Sequence, residues 1–309
     1  MPHSIISEIY EGIEFIEPVI QPLTDTLFEK KEIEVSMLRL DEIHPLISGN
    51  KLFKLIYFLE EAKESFHKTI ITFGGAYSNH LAATAFACEK MEIRSVGIVR
   101  GEEPKHFSHT LQFCIEHKMQ LEFISRTSYK NVDDNFLKEI KYKYGDHILI
   151  PEGGFSEKGK AGASLINNYF VDTNFTHISL PVGTATTLAG ISEANKCKSK
   201  IMGFGVLKNM NDLAERFKEL KVNPSAEYFF NNNYHFGGYA KKKEKLLSFM
   251  NSFYKKHSIP LDFVYTAKMM FGIYDLIDKK YFPPGSKILC IHTGGLQGNG
   301  SLPPGKLIF

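Results

Sequence analysis

Apolar and polar positions along the chain follow two periods in turn. Short apolar runs, KTIITFGG from Lys68, RSVGIVRG from Arg94, QLEFISR from Gln120 and HILIPEGG from His147, are separated by segments of helical spacing over 78–91, 106–118 and 132–144. After a helix over 160–169 the alternation resumes: HISLPVG from His177, a helix over 188–195, KIMGFGVL from Lys200, helices over 211–220, 241–257 and 268–279, and KILCIHTGG from Lys287. Strands alternating with helices across short turns build right-handed βαβ units and parallel sheets. Upstream, residues 34–41 alternate as a strand, and Leu55, Phe58, Leu59 and Ala62 share one face of a helix over 54–63. The expected class is α/β, with two open twisted parallel-sheet domains: a small one over 53–159 and a large one made of 1–52 plus 160–309. No linker of biased composition and no repeat period interrupts this order.

Composition narrows the function classes. The chain has 309 residues, 43% of them hydrophobic and 23% charged, as in a globular protein with a sizeable core. A net charge of +2 supplies no electrostatic ground for nucleic acid or an anionic membrane as partner. Cys88, Cys114, Cys197 and Cys290 are scattered in apolar settings without a C-x-x-C pair, which predicts reduced, buried thiols and neither a disulfide framework nor a metal site. The N-terminal residues lack a basic stretch followed by an apolar one, and no apolar run approaches the ~20 residues of a membrane span. A cytoplasmic protein is the expectation.

Candidate chemistry starts at Lys51, which follows a flexible Ser48-Gly49-Asn50 and precedes an apolar run. Partial burial there, with Lys54 one helical turn on, would lower the amine pKa and make it nucleophilic; a solvated surface lysine is the alternative. Gly74-Gly75 leads to Ser78-Asn79-His80 at the start of a helix, a turn that offers hydroxyl, amide and backbone N–H groups to an anion. Val182, Gly183, Thr184, Ala185, Thr186 and Thr187 likewise join an apolar strand to a helix, and suit either a phosphate or an ordinary threonine cap. His292 has no partner spaced for a metal, and Tyr265-Thr266 stands at a strand-to-helix junction where a packed tyrosine and a cap threonine would also serve. Gly154 to Lys160 imitates a nucleotide-binding G-x-x-x-x-G-K loop, but Ala161 replaces the hydroxyl that holds Mg²⁺, so a surface loop with two lysines is expected. No G-x-G-x-x-G stands between a strand and a helix, which speaks against a dinucleotide site.

In combination GNKLFKL (Gly49 to Leu55), FGGAYSNHLAATA (Phe73 to Ala85), IPEGG (Ile150 to Gly154), PVGTATTLAG (Pro181 to Gly190), VYTAK (Val264 to Lys268) and HTGGLQG (His292 to Gly298) resemble the pyridoxal-phosphate enzymes of the 1-aminocyclopropane-1-carboxylate deaminase and D-cysteine desulfhydrase family. The resemblance runs from about Ile33 to Gly298. It implies a tryptophan-synthase-β-like fold with pyridoxal 5'-phosphate between two α/β domains, a small amino-acid substrate and a homodimer. Carried over by motif, Lys51 would be the Schiff-base lysine and general base, Asn79 the partner of the cofactor phenolic oxygen, and 182–187 with Lys54 the phosphate site. Ser78, Asn79 and His80 would receive the substrate carboxylate. Ser78 could also act as nucleophile or proton relay, with Tyr265 beside the substrate.

Thr266 bears on the reaction. The deaminase pattern has Tyr-Glu where this chain has Tyr265-Thr266, and the desulfhydrase-like pattern has Tyr-Thr. A carboxylate favours a protonated pyridine nitrogen, whereas a hydroxyl can only donate to an unprotonated one, leaving a weaker electron sink. The expected function is therefore a D-cysteine desulfhydrase-like α,β-elimination giving a 2-oxo acid and ammonia. The alternatives are 1-aminocyclopropane-1-carboxylate deaminase, a racemase or other lyase with the same base, or a pyridoxal-phosphate-binding protein with little catalysis. The chain departs from relatives in the apolar Leu52-Phe53, in Ala185 where glycine is common, and in a short Pro-rich tail.

Overall fold

The computed structural model of the protein describes residues 6, 10, 13–65, 69–196 and 199–309. Among these residues the strands are β1 (Ile20–Leu23), β2 (Glu34–Arg39), β3 (Thr69–Gly74), β4 (Arg94–Arg100), β5 (Gln120–Ile124), β6 (Ile148–Ile150), β7 (His177–Val182), β8 (Lys200–Gly205), β9 (Tyr228–Asn231) and β10 (Lys287–His292). They form a four-stranded sheet in the order β5-β4-β3-β6 and a six-stranded sheet in the order β1-β2-β10-β7-β8-β9. The smaller sheet is parallel throughout. The larger is parallel except where β1 runs against β2. In β3, β7, β8 and β10 every residue after the first is buried, because helices cover both faces of such sheets. The α/β class and its parallel sheets thus match the reading of the apolar runs.

One helix joins the two sheets. Asn50–Glu64 buries Leu52, Phe53, Leu55, Ile56 and Leu59 in a cluster that also contains Ile70 and Ile150 of the smaller sheet and Ile178 and Leu180 of the larger. This helix begins earlier than its apolar spacing suggests, so Lys51 lies in its first turn. Its back is held by close main-chain packing. A Cβ on Gly162, in the helix Glu157–Ser164, would stand 2.1 Å from the Phe53 carbonyl oxygen. A Cβ on Gly190, in the helix Thr186–Ala194, would stand 2.4 Å from that of Lys160. Three helices are therefore stacked backbone to backbone.

Several local expectations change. The helix expected over 160–169 divides into Glu157–Ser164 and a 3-10 turn, Leu165–Tyr169. Lys160 is buried and paired with Glu193 at 2.8 Å, so only Lys158 of that loop is a surface lysine. Strands β1 and β9 and the helices Thr26–Lys30 and Arg126–Lys130 are additions. Cys88, Cys114 and Cys290 are buried free thiols whose pKa burial pushes up, while Cys197 and Lys68 lie outside the described residues. No helix among the described residues is long and apolar enough to cross a membrane.

Candidate active site

The carboxyl ends of the parallel strands in both sheets turn toward Lys51. Gly49, with φ at +67°, lies so close to the last strand that a Cβ there would be 2.0 Å from the Thr293 carbonyl oxygen. That oxygen also accepts the Asn50 N–H at 3.3 Å. The supposedly flexible Ser48-Gly49-Asn50 is thus clamped against main chain, and it fixes where the helix starts. The Lys51 amine donates to the Asn50 side-chain oxygen at 2.8 Å and stands 5.6 Å from the centre of the Tyr265 ring. Burial lowers its pKa from 10.5 to about 8, against the pull of the Asp262 carboxylate. Lys54 is fully within the protein and donates to the Gly153 carbonyl at 3.0 Å and toward the Thr184 hydroxyl at 3.5 Å. Burial first and Lys51 second push its pKa well down.

Thr184 belongs to the turn between β7 and the helix Thr186–Ala194. Ala185 takes the left-handed conformation at φ 72° and no side chain caps the helix. The hydroxyls of Thr184 and Thr186 are 3.0 Å apart, and the Thr187 hydroxyl accepts the Asn50 amide at 2.7 Å, which ties the lysine helix to the turn. Helix N–H groups left without a cap are anion donors. A recess of about 40 Å³ opens between them, lined by Lys51, Lys54, Gly183, Thr184, Thr187 and Tyr265.

This recess adjoins a larger cavity of about 570 Å³, to which Ser78, Asn79 and His80 contribute from the other sheet. Ser78 caps the helix Asn79–Lys90, its hydroxyl accepting the Leu81 N–H at 3.2 Å. The Asn79 side-chain oxygen is buried with no hydrogen-bond partner among the described residues. His80 can be assigned a tautomer by counting protons. The Thr72 hydroxyl donates its one hydrogen to the Ile150 carbonyl at 2.9 Å, so His80 Nε2, 2.9 Å from the same hydroxyl, must be the donor to it. Nδ1 is left as a bare acceptor without a partner among the described residues. Burial, with Lys51 and Lys54 nearby, pushes the imidazole down to about 3, so it is neutral.

Tyr265 and Thr266 open the helix Thr266–Asp278, but a loop and turn from the preceding helix, not the expected strand, lead into it. Asp262, which the sequence did not single out, fixes both: its carboxylate accepts the N–H groups of Val264 at 3.0 Å, Tyr265 at 2.7 Å and Thr266 at 2.8 Å. Burial still pushes its pKa up. The Thr266 hydroxyl is completely buried. It lies close enough to Asp262 to favour that charge, yet makes no hydrogen bond of good geometry among the described residues. The Tyr265 ring covers Gly183, and its edge meets Tyr239 with ring centres 6.1 Å apart. Tyr239 comes from the Asn/Tyr/Gly-rich segment before Lys241, where composition gives no helix or strand period to mark it. Burial and mutual contact push the Tyr265 phenol well up, and burial also raises Tyr239. Of the predicted residues, Thr186 and Thr266 stand behind the cavity walls; Lys51, Lys54, Ser78, Asn79, His80, Gly183, Thr184 and Tyr265 line them. Val182, Ala185 and Thr187 line the recess. His292 is buried away from the cavity, its Nε2 donating to the Pro260 carbonyl at 2.9 Å and its Nδ1 accepting the Gly294 N–H at 3.2 Å.

A lysine of lowered pKa beside an uncapped phosphate-sized turn agrees with what comparison finds. The family model described as "Pyridoxal-phosphate dependent enzyme" matches residues 22–294. The chain belongs to the pyridoxal-phosphate dependent enzymes. A putative 1-aminocyclopropane-1-carboxylate deaminase of Pyrococcus furiosus is 28% identical over 272 residues, 82% of this chain and 82% of that protein. The mitochondrial bifunctional D-cysteine desulfhydrase/1-aminocyclopropane-1-carboxylate deaminase of Arabidopsis thaliana is 30% identical over 283 residues, 82% of this chain and 70% of that protein. The crystal structure of an ACC deaminase homologue superposes with a TM-score of 0.76 at 25% identity, covering 96% of both chains.

The residues of this pyridoxal-phosphate dependent enzyme fit its cofactor. The turn from Gly183 to Thr187 opens a helix with no side-chain cap and can offer its N–H groups to a phosphate, the Thr266 hydroxyl has Asp262 nearby but no hydrogen bond of good geometry, and the buried Asn79 side-chain oxygen has no hydrogen-bond partner among the described residues. A buried polar atom left so costs about 1–3 kcal/mol unless a ligand or water satisfies it.

Proposed function

We propose that the protein is a lyase that performs α,β-elimination on a small amino acid, with D-cysteine as the favoured substrate. Water is consumed, and a 2-oxo acid, ammonia and sulfide are released. The observation that carries this reading is Thr266, a buried hydroxyl without a hydrogen-bond partner of good geometry, at the position where a deaminase pattern has a carboxylate. Pyridoxal phosphate, when bound, withdraws electrons from the substrate α-carbon and so eases removal of its proton.

The roles assigned to the chain's own residues follow from chemistry. Lys51 holds the cofactor covalently and, as a neutral amine, takes the α-proton; an amine with a pKa of about 8 is half neutral near that pH. The Gly183–Thr187 turn and Lys54 bind the phosphate. Asn79 orients the cofactor through its phenolic oxygen, and Thr266 donates to the ring nitrogen without charging it. The start of the helix Asn79–Lys90 receives the substrate carboxylate, with Ser78 and His80 at its edge. Tyr265 and Tyr239, whose phenols keep their protons, would donate one to the leaving sulfur. The division into 53–159 and the remainder is supported by the smaller sheet, whose strands run from Thr69 to Ile150. A homodimer, which rests on the family resemblance, in a reducing compartment such as the cytoplasm, which the buried free thiols Cys88, Cys114 and Cys290 suit, completes the reading.

Release of 2-oxo acid from D-cysteine, L-cysteine, D-serine and 1-aminocyclopropane-1-carboxylate tests the reaction. Turnover of D-cysteine is expected, together with a visible absorbance of lysine-bound cofactor that Lys51→Ala removes. Turnover of the cyclopropane alone would replace this reading with the second one, a 1-aminocyclopropane-1-carboxylate deaminase, the activity named for the Pyrococcus furiosus relative, whereas the Arabidopsis thaliana relative is named for both.

A further inference from the structure

Lys268, in the first turn of the helix Thr266–Asp278, has no part in the chemistry above. It is nonetheless completely buried. Its ammonium donates to the Gly238 carbonyl at 2.8 Å and the Val206 carbonyl at 3.2 Å, and Asp262 acts on it only at longer range. Such a placement is costly. A buried cation loses hydration, and the N-terminal turn of a helix is positive already. Burial accordingly lowers its pKa to about 8. Met269 and Met270 follow it in full burial, so an unbranched apolar side chain suits this part of the helix. The charge therefore serves the two carbonyls.

Those carbonyls belong to segments that meet at the active site. Val206 follows β8, and its N–H donates to the Val182 carbonyl at 3.0 Å, where the phosphate turn begins. Gly238 precedes Tyr239 in a segment where Gly237 and Gly238 have φ of 95° and 113° and no side chains of their own to anchor it. The Lys268 amine thus links the base of the phosphate turn to the residue before Tyr239, from the same helix that carries Thr266 and follows Tyr265. We propose that Lys268 is a positioning residue that holds Tyr239 against Tyr265 over the cavity. Its consequence for turnover rests on the elimination reading above; its consequence for the 232–243 segment does not.

Two measurements on the cofactor-loaded protein test this. In Lys268→Met, amide hydrogen exchange should accelerate across 232–243 and stay unchanged in the helix Asn79–Lys90, with the cofactor absorbance retained. On D-cysteine, kcat should fall about tenfold with KM changed less than about threefold, and the same substitution in a Tyr239→Phe background should cost less than about twofold, since coupled residues are non-additive. Lys268→Gln, which keeps a donor without the charge, should fall between and carries the same comparison if Lys268→Met does not fold. Unchanged exchange over 232–243 would overturn the tether, as would acceleration spread over the whole chain with loss of absorbance. Losses that multiply independently in the double variant would overturn the link to Tyr239. A wild-type protein inert toward D-cysteine would count against the elimination reading, and exchange would still decide the tether.

Discussion

The helices that begin at Asn79 and Thr186 both follow an apolar parallel strand and both point their first turns at Lys51, yet they are finished differently. The first is capped by its own Ser78, which occupies the Leu81 N–H at the wall of the larger cavity, beside the Asn79 oxygen, unpartnered among the described residues. The second has no side-chain cap, a left-handed Ala185, and hydroxyls committed to one another or to Asn50. A capped end has little left to offer and suits a group of one charge and two oxygens. An open end can surround a phosphate. Sequence alone gives both as glycine-containing turns before helices; what separates them is which N–H groups the protein has already used.

The largest expected break in that contrast is Thr184→Asp. A carboxylate in the open turn opposes a phosphate by roughly 4 kcal/mol at a separation near 4 Å, so cofactor affinity measured by absorbance titration should fall at least about 100-fold. Ser78→Ala should do the reverse. Turnover falls by at least about 100-fold while cofactor affinity stays within about threefold and the lost cap costs about 1 kcal/mol in urea unfolding. If Ser78→Ala released the cofactor as readily as Thr184→Asp, the two ends would not be specialised. Lys54→Met should weaken cofactor binding about tenfold to 100-fold, the value of a charge-assisted hydrogen bond of about 1.5–3 kcal/mol. The pH dependence of cofactor capture by the apoprotein sharpens the picture further. The neutral amine is the reactive form and burial lowers Lys51 from 10.5 to about 8. The capture rate should therefore climb about tenfold per pH unit below that value and level off above it. A rate still climbing at pH 10 would place Lys51 in water. Smallest of all, Ala185→Gly relieves the left-handed alanine at φ 72° and should stabilise the protein by roughly 0.5–1 kcal/mol without changing cofactor affinity.

The order of strands and helices was legible because parallel strands covered on both faces are written as unbroken apolar runs, and β3, β7, β8 and β10 are all of that kind. Strand β1 was not, since Pro22 within four residues argues against a strand and is tolerated only where, as here, the strand lies at an edge. Asn79 and Thr184 could be named because each sits at a strand-to-helix junction beside glycine, threonine or serine, and Lys51 and Tyr265 because each stands at the start of a helix. Tyr239, Asp262 and Lys268 could not. Their importance comes from contacts with the backbone or ring of residues distant in the chain or in a turn whose shape is not written locally, such as the Gly238 carbonyl 30 residues before Lys268. Gly49 shows the same limit from the other side. It reads as slack, and only the Thr293 carbonyl packed upon it makes it rigid.

The backbone stacking at Gly162 and Gly190 has a further meaning, as a ruler. The helix that carries Lys51 and the helix that follows the Gly183–Thr187 turn, the proposed phosphate site, are each set against Glu157–Ser164 by main-chain atoms. A side chain added at either glycine would force the helices apart, whereas exchanges elsewhere leave the main-chain contact in place. Cofactor analogues with a longer or shorter arm between ring and phosphate should accordingly be refused by every variant that keeps those glycines, however far the substrate end of the cavity is remodelled.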